Sequence, residues 1–154
     1  MNSNLITGAV LAGGHGRRMG APKAGVLLKG RPLLDYVLDA IGPVTHEIIV
    51  VRSARLVLPP INQANATVIL DETADEGPLR ALNTAFNAAR TGLVLAVGCD
   101  MPFLNPTLIS RLAALIDDFD AVVPIVDGRQ QPLHAIYRAA PAAAAAASAL
   151  TAGD

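Results

Sequence analysis

Residues 5–20 read LITGAVLAGGHGRRMG, and this stretch decides the fold. Its first part, Leu5 to Leu11, is a short apolar run that leads into glycines, which is typical of a buried β-strand. The next segment, Ala12 to Lys23, holds four glycines and a proline, too many breakers for a regular element. The sequence therefore predicts a buried strand with an irregular loop at its carboxyl end.

The rest of the chain alternates between strand and helix patterns. Further strands are predicted at 47–52, 67–70, 93–97, 121–126 and 133–137, and those at 47–52 and 67–70 are expected to be buried like the first. Helices are predicted from Pro32 to Ile41, from Pro78 to Arg90, from Asn105 or Pro106 onward, and from Pro141 to about Leu150. The apolar positions of the third helix are Leu108, Leu112, Leu115 and Ile116. Because the strands are apolar and alternate with helices, we expect a three-layer α/β/α fold around a mostly parallel sheet. The length of 154 residues fits one domain, 1–154.

Composition excludes several classes of protein. The net charge of −1 gives no overall basic field for nucleic acid or acidic membranes. The single cysteine, Cys99, allows no internal disulfide and argues against a thiol metal cluster. No apolar run reaches the roughly 18 residues of a membrane span, and no basic region precedes Leu5 as it would in a signal peptide. We expect a cytoplasmic protein that binds neither nucleic acid nor membrane.

The glycine-rich loop has the chemistry of a triphosphate site. Glycines let the backbone approach a phosphate closely, and Arg17, Arg18 and Lys23 supply positive charge. The dinucleotide-binding fingerprint is excluded because its third glycine falls one position late, at Gly20. No Walker A string is present either. A dehydrogenase and a P-loop hydrolase are therefore disfavoured.

Two carboxylates are placed for nucleotide chemistry. Asp100 follows the fourth predicted strand and Asp71 the third, so both should lie at the same sheet edge as the loop. Mg²⁺ on a triphosphate takes one or two protein carboxylates, and Asp100 is the predicted ligand. Asn105 is better placed than Asp100 to cap the following helix. Asp71 begins an acidic run, 71–76, so a nucleotide contact and a merely solvated side chain are both open.

The histidines and the cysteine are weaker candidates for a functional role. His15 either contacts phosphate or packs outward, and His46 is expected at the surface. His134 has no second histidine or cysteine at metal spacing, so we expect a structural histidine with its hydrogen bonds satisfied. Cys99 is expected to be a small buried residue and not a nucleophile.

Taken together, the motifs resemble a known family. They are LAGGHGRRMG (11–20), Lys23, GRPLL (30–34), Asp71 with GPL (77–79), CDMPF (99–103) and DGRQQPLHAIY (127–137). In this order they resemble the molybdenum cofactor guanylyltransferase, or MobA-like, family over residues 6 to about 140. The first string alone is shared by many sugar and cofactor nucleotidyltransferases, whereas the whole set is more specific.

The resemblance implies a Rossmann-like nucleotidyltransferase fold and an activity. A member of this family transfers GMP from GTP to molybdopterin with Mg²⁺, giving molybdopterin guanine dinucleotide and pyrophosphate. The resemblance assigns nucleotide binding to Leu11, Ala12, Gly13, Gly14, Gly16, Arg17, Lys23, Asp71, Gly77 and Asp100. It assigns catalysis to Arg17, Lys23 and Asp100, the metal to Asp100, and acceptor binding to Arg129, Gln130 and Gln131. The Gly13-Gly14 pair goes with purine triphosphates in these families.

Several alternatives stay open. The donor or the phosphorylated acceptor could differ, or the chain could be a non-catalytic nucleotide-binding module. Family members continue some tens of residues further with an Asn-rich stretch, so the single domain is expected to lack that part, as a fragment or as a shortened relative with weakened activity. Arg52-Ser53 stands where the family often carries asparagine contacts to the nucleotide. Both a monomer and a weak homo-oligomer are compatible with the sequence.

Overall fold

The computed structural model describes residues 5–13, 23–71 and 77–153, with Lys23 described by its backbone alone. Its strands are β1 (Ile6–Leu11), β2 (Leu27–Leu28), β3 (Arg31–Pro32), β4 (Glu47–Arg52), β5 (Ala66–Leu70), β6 (Leu93–Gly98), β7 (Ala121–Val122), β8 (Ile125–Val126), β9 (Arg129–Gln130) and β10 (His134–Arg138). Its α-helices are α1 (Leu33–Ile41), α2 (Pro78–Ala88), α3 (Pro106–Ala114) and α4 (Ala139–Ala152), and short 3-10 turns occupy Lys23–Gly25 and Gly42–Val44.

One six-stranded sheet organises the chain, in the order β5-β4-β1-β6-β10-β7. Strands β5, β4, β1 and β6 run parallel, whereas β10 is antiparallel to both of its neighbours. The register places Leu11, the last residue of β1, opposite Val51 of β4 and Gly98 of β6. The expected mostly parallel sheet is confirmed.

Helices cover the two faces of this sheet, as expected for three layers. On one face, α1 and α3 pack Leu34 and Ile109 into a cluster that includes Val10 of β1. On the other face, α2 and α4 pack Phe86 and Ala146 into a second cluster. Side chains alternate between the faces along each strand, so a central strand is buried throughout. Full burial of each Leu, Ile or Val contributes about 1.5–3 kcal/mol, and the fold is stabilised mainly here.

The helices form where local sequence favours them. Helix α1 buries the positions Leu34, Val37, Leu38 and Ile41, whose spacing forms one helical face. Helix α4 is mostly alanine, which has the highest helix propensity, and it ends where Gly153 adopts a left-handed conformation at φ 86°. Along the described residues, no helix has the length and apolar character needed to cross a membrane.

Three expectations from the sequence need correction. Strand β5 is not buried, since Val68 is 43% and Leu70 49% exposed, because β5 is the edge of the sheet. Helix α3 does not bury the predicted Leu108 and Leu115. It buries Ile109 together with Leu112.

The predicted single strand at 121–126 is divided. Strand β7 ends at Val122 in the main sheet, and β8 forms a separate hairpin with β9. The predicted Asp127-Gly128 turn joins β8 to β9, and both residues have positive φ, 49° and 74°. The polypeptide thus leaves the sheet after β7 and returns to it as β10.

A hydrogen-bonded network closes the amino edge of the sheet. The Thr7 hydroxyl on β1 donates to Glu47 Oε1 on β4 at 2.7 Å. The same Glu47 oxygen accepts from the Arg90 backbone N–H at 2.7 Å, and Thr7 Oγ1 lies 2.8 Å from Thr91 Oγ1. This network joins β1, β4 and the segment before β6 at the edge opposite to the glycine-rich loop.

Candidate active site

The sheet has a topological switch point at β1. From β1 the chain first builds outward through β4 and β5, and then crosses to the other side of β1 to form β6. In open parallel sheets of this kind, ligands bind outside the carboxyl ends of the strands where the order reverses. That crevice lies between the segments that follow β1 and β6.

The segment after β1 begins with main-chain bonds to both neighbouring strands. The Ala12 N–H donates to Val51 O at 2.9 Å, and the Cys99 N–H donates to Leu11 O at 3.1 Å. The side chains of Leu11 and Ala12 are buried at 5% and 3% exposure, whereas Gly13 is half-buried. Any ligand contact by Leu11 or Ala12 therefore has to be made mainly through backbone atoms that these bonds leave available.

Most of the predicted phosphate loop lies outside the residues that the structure describes. Gly14, Gly16 and Arg17 lie outside the described residues, as do His15 and Arg18. The backbone of Lys23 begins the 3-10 turn that follows this loop.

Asp100 is exposed two residues beyond the end of β6, next to the segment that follows β1. Its Oδ1 atom lies over the Gly98 backbone, 2.8 Å from the point where a Cβ on residue 98 would lie. The Gly98 N–H donates to Met101 Sδ at 3.3 Å, which holds the turn that carries Asp100. Asp100 is not the helix cap, because Asn105 Oδ1 accepts from Thr107 N and Leu108 N at 2.9 and 3.2 Å.

Asp71 follows β5 at the same carboxyl edge but is not an ordinary solvated carboxylate. It is 8% exposed, and its N–H donates to Arg52 O at 2.9 Å. Its Oδ2 accepts a hydrogen bond of 2.8 Å from the Thr84 hydroxyl on α2. The alternative of a merely solvated Asp71 is therefore wrong.

The two carboxylates are too far apart to share one ion. Three inter-strand steps separate β5 from β6, which at about 4.8 Å each gives roughly 14 Å. Gly77 caps the amino end of α2 with φ 123°, a conformation that strongly favours glycine. Asp71 and Gly77 thus flank α2 on the β5 side of the edge, while Asp100 lies on the β6 side.

The segment carrying Arg129, Gln130 and Gln131 extends past the same edge. His134 of β10 lies opposite Val97, so the residues before it continue beyond the carboxyl end of β6. Arg129 and Gln130 form the exposed strand β9, and the Gln131 N–H donates to Pro124 O at 2.9 Å. The hairpin and Asp71 therefore lie on opposite sides of Asp100 along the edge.

The hydrogen bonding of His134 differs from the expectation at its Nε2 atom. It begins β10, burial lowers its pKa, and its Nε2 is buried with no hydrogen-bond partner among the described residues. The expected satisfied hydrogen bonding is therefore not found in that part of the chain. The predicted burial of Cys99 is confirmed by its 2% exposure, and the predicted surface position of His46 is confirmed by its exposure at the opposite edge of the sheet.

Two further side chains at this edge, Thr84 and Arg52, make hydrogen bonds that no pattern in the sequence indicates. Thr84 lies in the middle of a helix and is recognised as the Asp71 partner only once α2 is packed against the sheet. Arg52 donates from Nη1 to Ser53 O at 3.2 Å and to Leu56 O at 2.9 Å, so its guanidinium holds the loop after β4. Ser53 is buried at 4% exposure.

The described residues contain no group of three or more His, Cys, Asp or Glu side chains placed to hold a metal. An exposed carboxylate such as Asp100 still suits Mg²⁺ on a nucleotide, because that ion keeps several waters and phosphate oxygens among its ligands. Asp100 therefore suits a metal ion that is bound together with a nucleotide, and the described residues do not form a closed structural metal site.

Comparisons with known proteins agree with this architecture. Residues 8–153 match the family model described as MobA-like NTP transferase domain. The chain is 35% identical to a probable molybdenum cofactor guanylyltransferase of Natronomonas pharaonis, with 96% of this chain and 75% of the relative covered. It is 39% identical to the molybdenum cofactor guanylyltransferase of Burkholderia ambifaria, with 99% and 79% covered.

The similarity extends to a solved structure. Molybdopterin-guanine dinucleotide biosynthesis protein A from Archaeoglobus fulgidus superposes with a TM-score of 0.73 at 28% identity, covering 96% of this chain and 74% of that one. The family match spans nearly the whole chain and includes both sides of the crevice between β1 and β6. The chain therefore belongs to the MobA-like NTP transferase family.

Proposed function

We propose that this protein transfers GMP from GTP to molybdopterin, giving molybdopterin guanine dinucleotide and pyrophosphate. The observation that carries the proposal is the order of groups along the carboxyl edge of the sheet. The segment after β1 lies beside Asp100, with Asp71 on one side and the β8–β9 hairpin on the other. A donor site and an acceptor site can therefore meet at Asp100. The names of the curated relatives support the choice of reaction.

The donor nucleotide would lie between Asp71 and Asp100. The separation of roughly 14 Å, three strand spacings, is comparable to the length of an extended nucleoside triphosphate, so one end can approach each carboxylate. In our proposal Asp71 and Gly77 contact the nucleoside. The loop residues Gly13, Gly14 and Gly16 offer backbone N–H groups to the phosphates.

Positive charge for the triphosphate is assigned to Arg17 and Lys23. An arginine can grip a phosphate with two parallel hydrogen bonds, and a lysine acts as a compact point charge. Asp100 would hold Mg²⁺, which, when bound to the triphosphate, neutralises charge on the phosphate oxygens. Each of these groups acts by electrostatics and positioning, without forming a bond to the substrate.

The acceptor would lie on the hairpin side of Asp100. Arg129 is exposed there, and the exposed Gln130 and half-buried Gln131 add amide groups that can donate to a phosphate. A terminal phosphate oxygen of molybdopterin then attacks the α-phosphorus of GTP. The new P–O bond forms as the bond to the β-phosphate oxygen breaks, and pyrophosphate leaves.

This chemistry requires no covalent enzyme intermediate and no strong general base. The phosphate nucleophile is already anionic at neutral pH, so no proton has to be removed from it. The chain's contribution is to align the two phosphates and to offset the charge that develops on the leaving pyrophosphate. Since GTP and molybdopterin are small molecules of the cytoplasm, we place the reaction there.

The test is incubation of the purified chain with GTP, Mg²⁺ and molybdopterin, scored by pyrophosphate release and by the dinucleotide product. Parallel reactions with CTP and ATP measure the preference for the base. We expect release with GTP that requires both acceptor and metal. GTP binding without release would favour a non-catalytic nucleotide-binding module, and a clear preference for CTP would reject the guanylyl assignment.

A further inference from the structure

Strand β5 lies at an edge of the sheet, and its own residues include none of the charges or prolines by which proteins usually protect such edges. Its five residues, 66–70, read ATVIL and include no charge and no proline. Exposed edges are ordinarily interrupted by lysine, proline, a bulge or a covering segment because their free backbone groups attract other strands. The opposite edge of the sheet, β7, is only two residues long.

The direction of the free backbone groups follows from the pairing with β4. The Ile48 N–H donates to Asn65 O and the Asp71 N–H donates to Arg52 O, both at 2.9 Å. Alternate residues of a strand point to alternate sides, so residues 65, 67, 69 and 71 face β4. Ala66, Val68 and Leu70 must then direct their N–H and C=O groups outward. Of these groups, the Ala66 N–H already donates to Gln63 O of the same chain at 3.1 Å.

The side chains at the outward positions are apolar and accessible. Val68 is 43% and Leu70 49% exposed, and they lie on the α1 side of the sheet together with the half-buried Ala66. Scattered apolar side chains are common on surfaces, but here they flank a row of backbone donors and acceptors for which the described part of the chain supplies no partner beyond Gln63 O. Backbone hydrogen bonding and apolar contact therefore favour the same partner, another uncharged strand.

We infer that β5 pairs antiparallel with β5 of a second copy of this chain, about a two-fold axis at Val68. The Val68 residues would exchange two reciprocal N–H to O bonds, and each Leu70 N–H would donate to Ala66 O of the other copy. The strand is complementary to itself in this register, because Val68 meets Val68 and Leu70 meets Ala66 with no like charges opposed. This register does not need the Ala66 N–H as a donor between the copies, and that group already donates to Gln63 O.

The arrangement is compatible with catalysis and closes after two copies. Antiparallel pairing directs the carboxyl edges of the two sheets in opposite directions, and the exposed Asp100, which follows β6 three strands away from β5, stays accessible in each copy. Only one edge per chain is used, so the assembly does not grow into a filament. A contact built on one short strand falls in the small class, below about 1,200 Å², and the dimer should form in a concentration-dependent way.

Sedimentation velocity over a range of concentrations tests the dimer. We expect the mass to rise from that of one chain, 15.9 kDa, toward twice that value. Val68→Lys places two like charges beside the axis and should raise the dimer Kd by about tenfold or more. The control Val57→Lys adds the same charge at an 84% exposed site outside the strand and should leave the Kd unchanged.

Hydrogen exchange of the unaltered chain tests the register independently of any variant. The Val68 and Leu70 amides should exchange more slowly as concentration rises, while those of Thr67 and Ile69 are protected at every concentration. A chain that stays monomeric, a dimer unaffected by Val68→Lys, or concentration-independent exchange at Val68 and Leu70 would overturn the inference. Pyrophosphate release by Val68→Lys should equal that of the unaltered chain, so this test and that of the proposed function fail separately.

Discussion

Oδ1 of Asp100 lies 2.8 Å from the point where a Cβ on Gly98 would lie. Real Cβ atoms do not make contacts that short, so Asp100 can occupy this position only because residue 98 has no side chain. Glycine at the last position of β6 therefore leaves room for the Asp100 carboxylate where it now lies, and Gly98 has no positive φ that would require glycine.

Gly98→Ala should displace Asp100 while the strand itself persists. A displacement of about 1 Å at a site that acts by positioning costs up to about 100-fold, so we expect turnover to fall by 10- to 100-fold. The measurement is pyrophosphate release at saturating GTP, together with the melting temperature. Gly42→Ala is the matched control, because its Cβ would meet the Gln63 side chain at an ordinary 3.5 Å. An equal loss of turnover in both variants would contradict the role of Gly98.

The hydrogen bond between Thr84 and Asp71 links α2 to the end of β5. Thr84→Val keeps the shape of the side chain and removes the hydroxyl, which should cost about 1–2 kcal/mol of unfolding free energy. If Asp71 contacts the nucleotide, the Kd for GTP should also rise. Chemical denaturation and titration calorimetry measure the two effects, with Thr107→Val at an exposed site on α3 as the control. Lower stability with an unchanged GTP Kd would assign Thr84 a structural role only.

Much of this architecture was predictable from the sequence because it depends on local patterns. The β4 boundaries, Glu47–Arg52, match the prediction, and Asn105 caps α3 as expected. Buried parallel strands are continuous apolar runs, and helix caps are set by side chains within a few residues. Such features can be recognised without knowing what packs where.

The remaining features depend on tertiary contacts that are distant in sequence. Val68 resembles a core residue by composition, and it is exposed only because no strand follows β5 at that edge. Helix α3 is short, so its leucines and Ile109 fit two possible faces, and the packing against the sheet selects the face of Ile109. The Asp71–Thr84 pair is thirteen residues apart and has no pattern in the sequence.

Asp100→Asn tests the proposed metal ligand. The amide keeps the size of the side chain and removes the charge that Mg²⁺ would bind. We therefore expect turnover to fall by about 100-fold or more, and the Mg²⁺ concentration needed for half-maximal turnover to rise. Rates measured across a Mg²⁺ titration, with and without EDTA, provide the readout. Asp118→Asn, at an exposed site after α3, is the control. An unchanged Mg²⁺ dependence in Asp100→Asn would exclude Asp100 as the ligand.

Lys23→Ala tests the proposed phosphate charge. Loss of this cation should lower turnover far more than it lowers the melting temperature, because the proposed role is to offset charge on the phosphates. Lys29→Ala, a lysine with positive φ in the β2–β3 turn, serves as the comparison for loss of a cation elsewhere. A well-folded Lys23→Ala variant with normal pyrophosphate release would refute the assignment.

The buried Nε2 of His134 predicts that the stability of this protein depends on pH in a defined direction. Burial lowers the pKa of His134 in the folded chain, whereas the unfolded imidazole keeps its ordinary value of about 6.5. As the pH falls below that value the unfolded state binds the proton first, so the free energy of unfolding decreases until the lower folded pKa is passed. His134→Gln cannot titrate and should show a smaller decrease between about pH 7.5 and 5.5.

Urea unfolding at the two pH values gives this difference directly, and His46→Gln, an exposed histidine, should keep the pH dependence of the unaltered chain. The comparison removes the contribution of the carboxylates, since all three proteins share it. If His134→Gln lost as much stability on acidification as the unaltered chain, the buried imidazole would not be the group responsible.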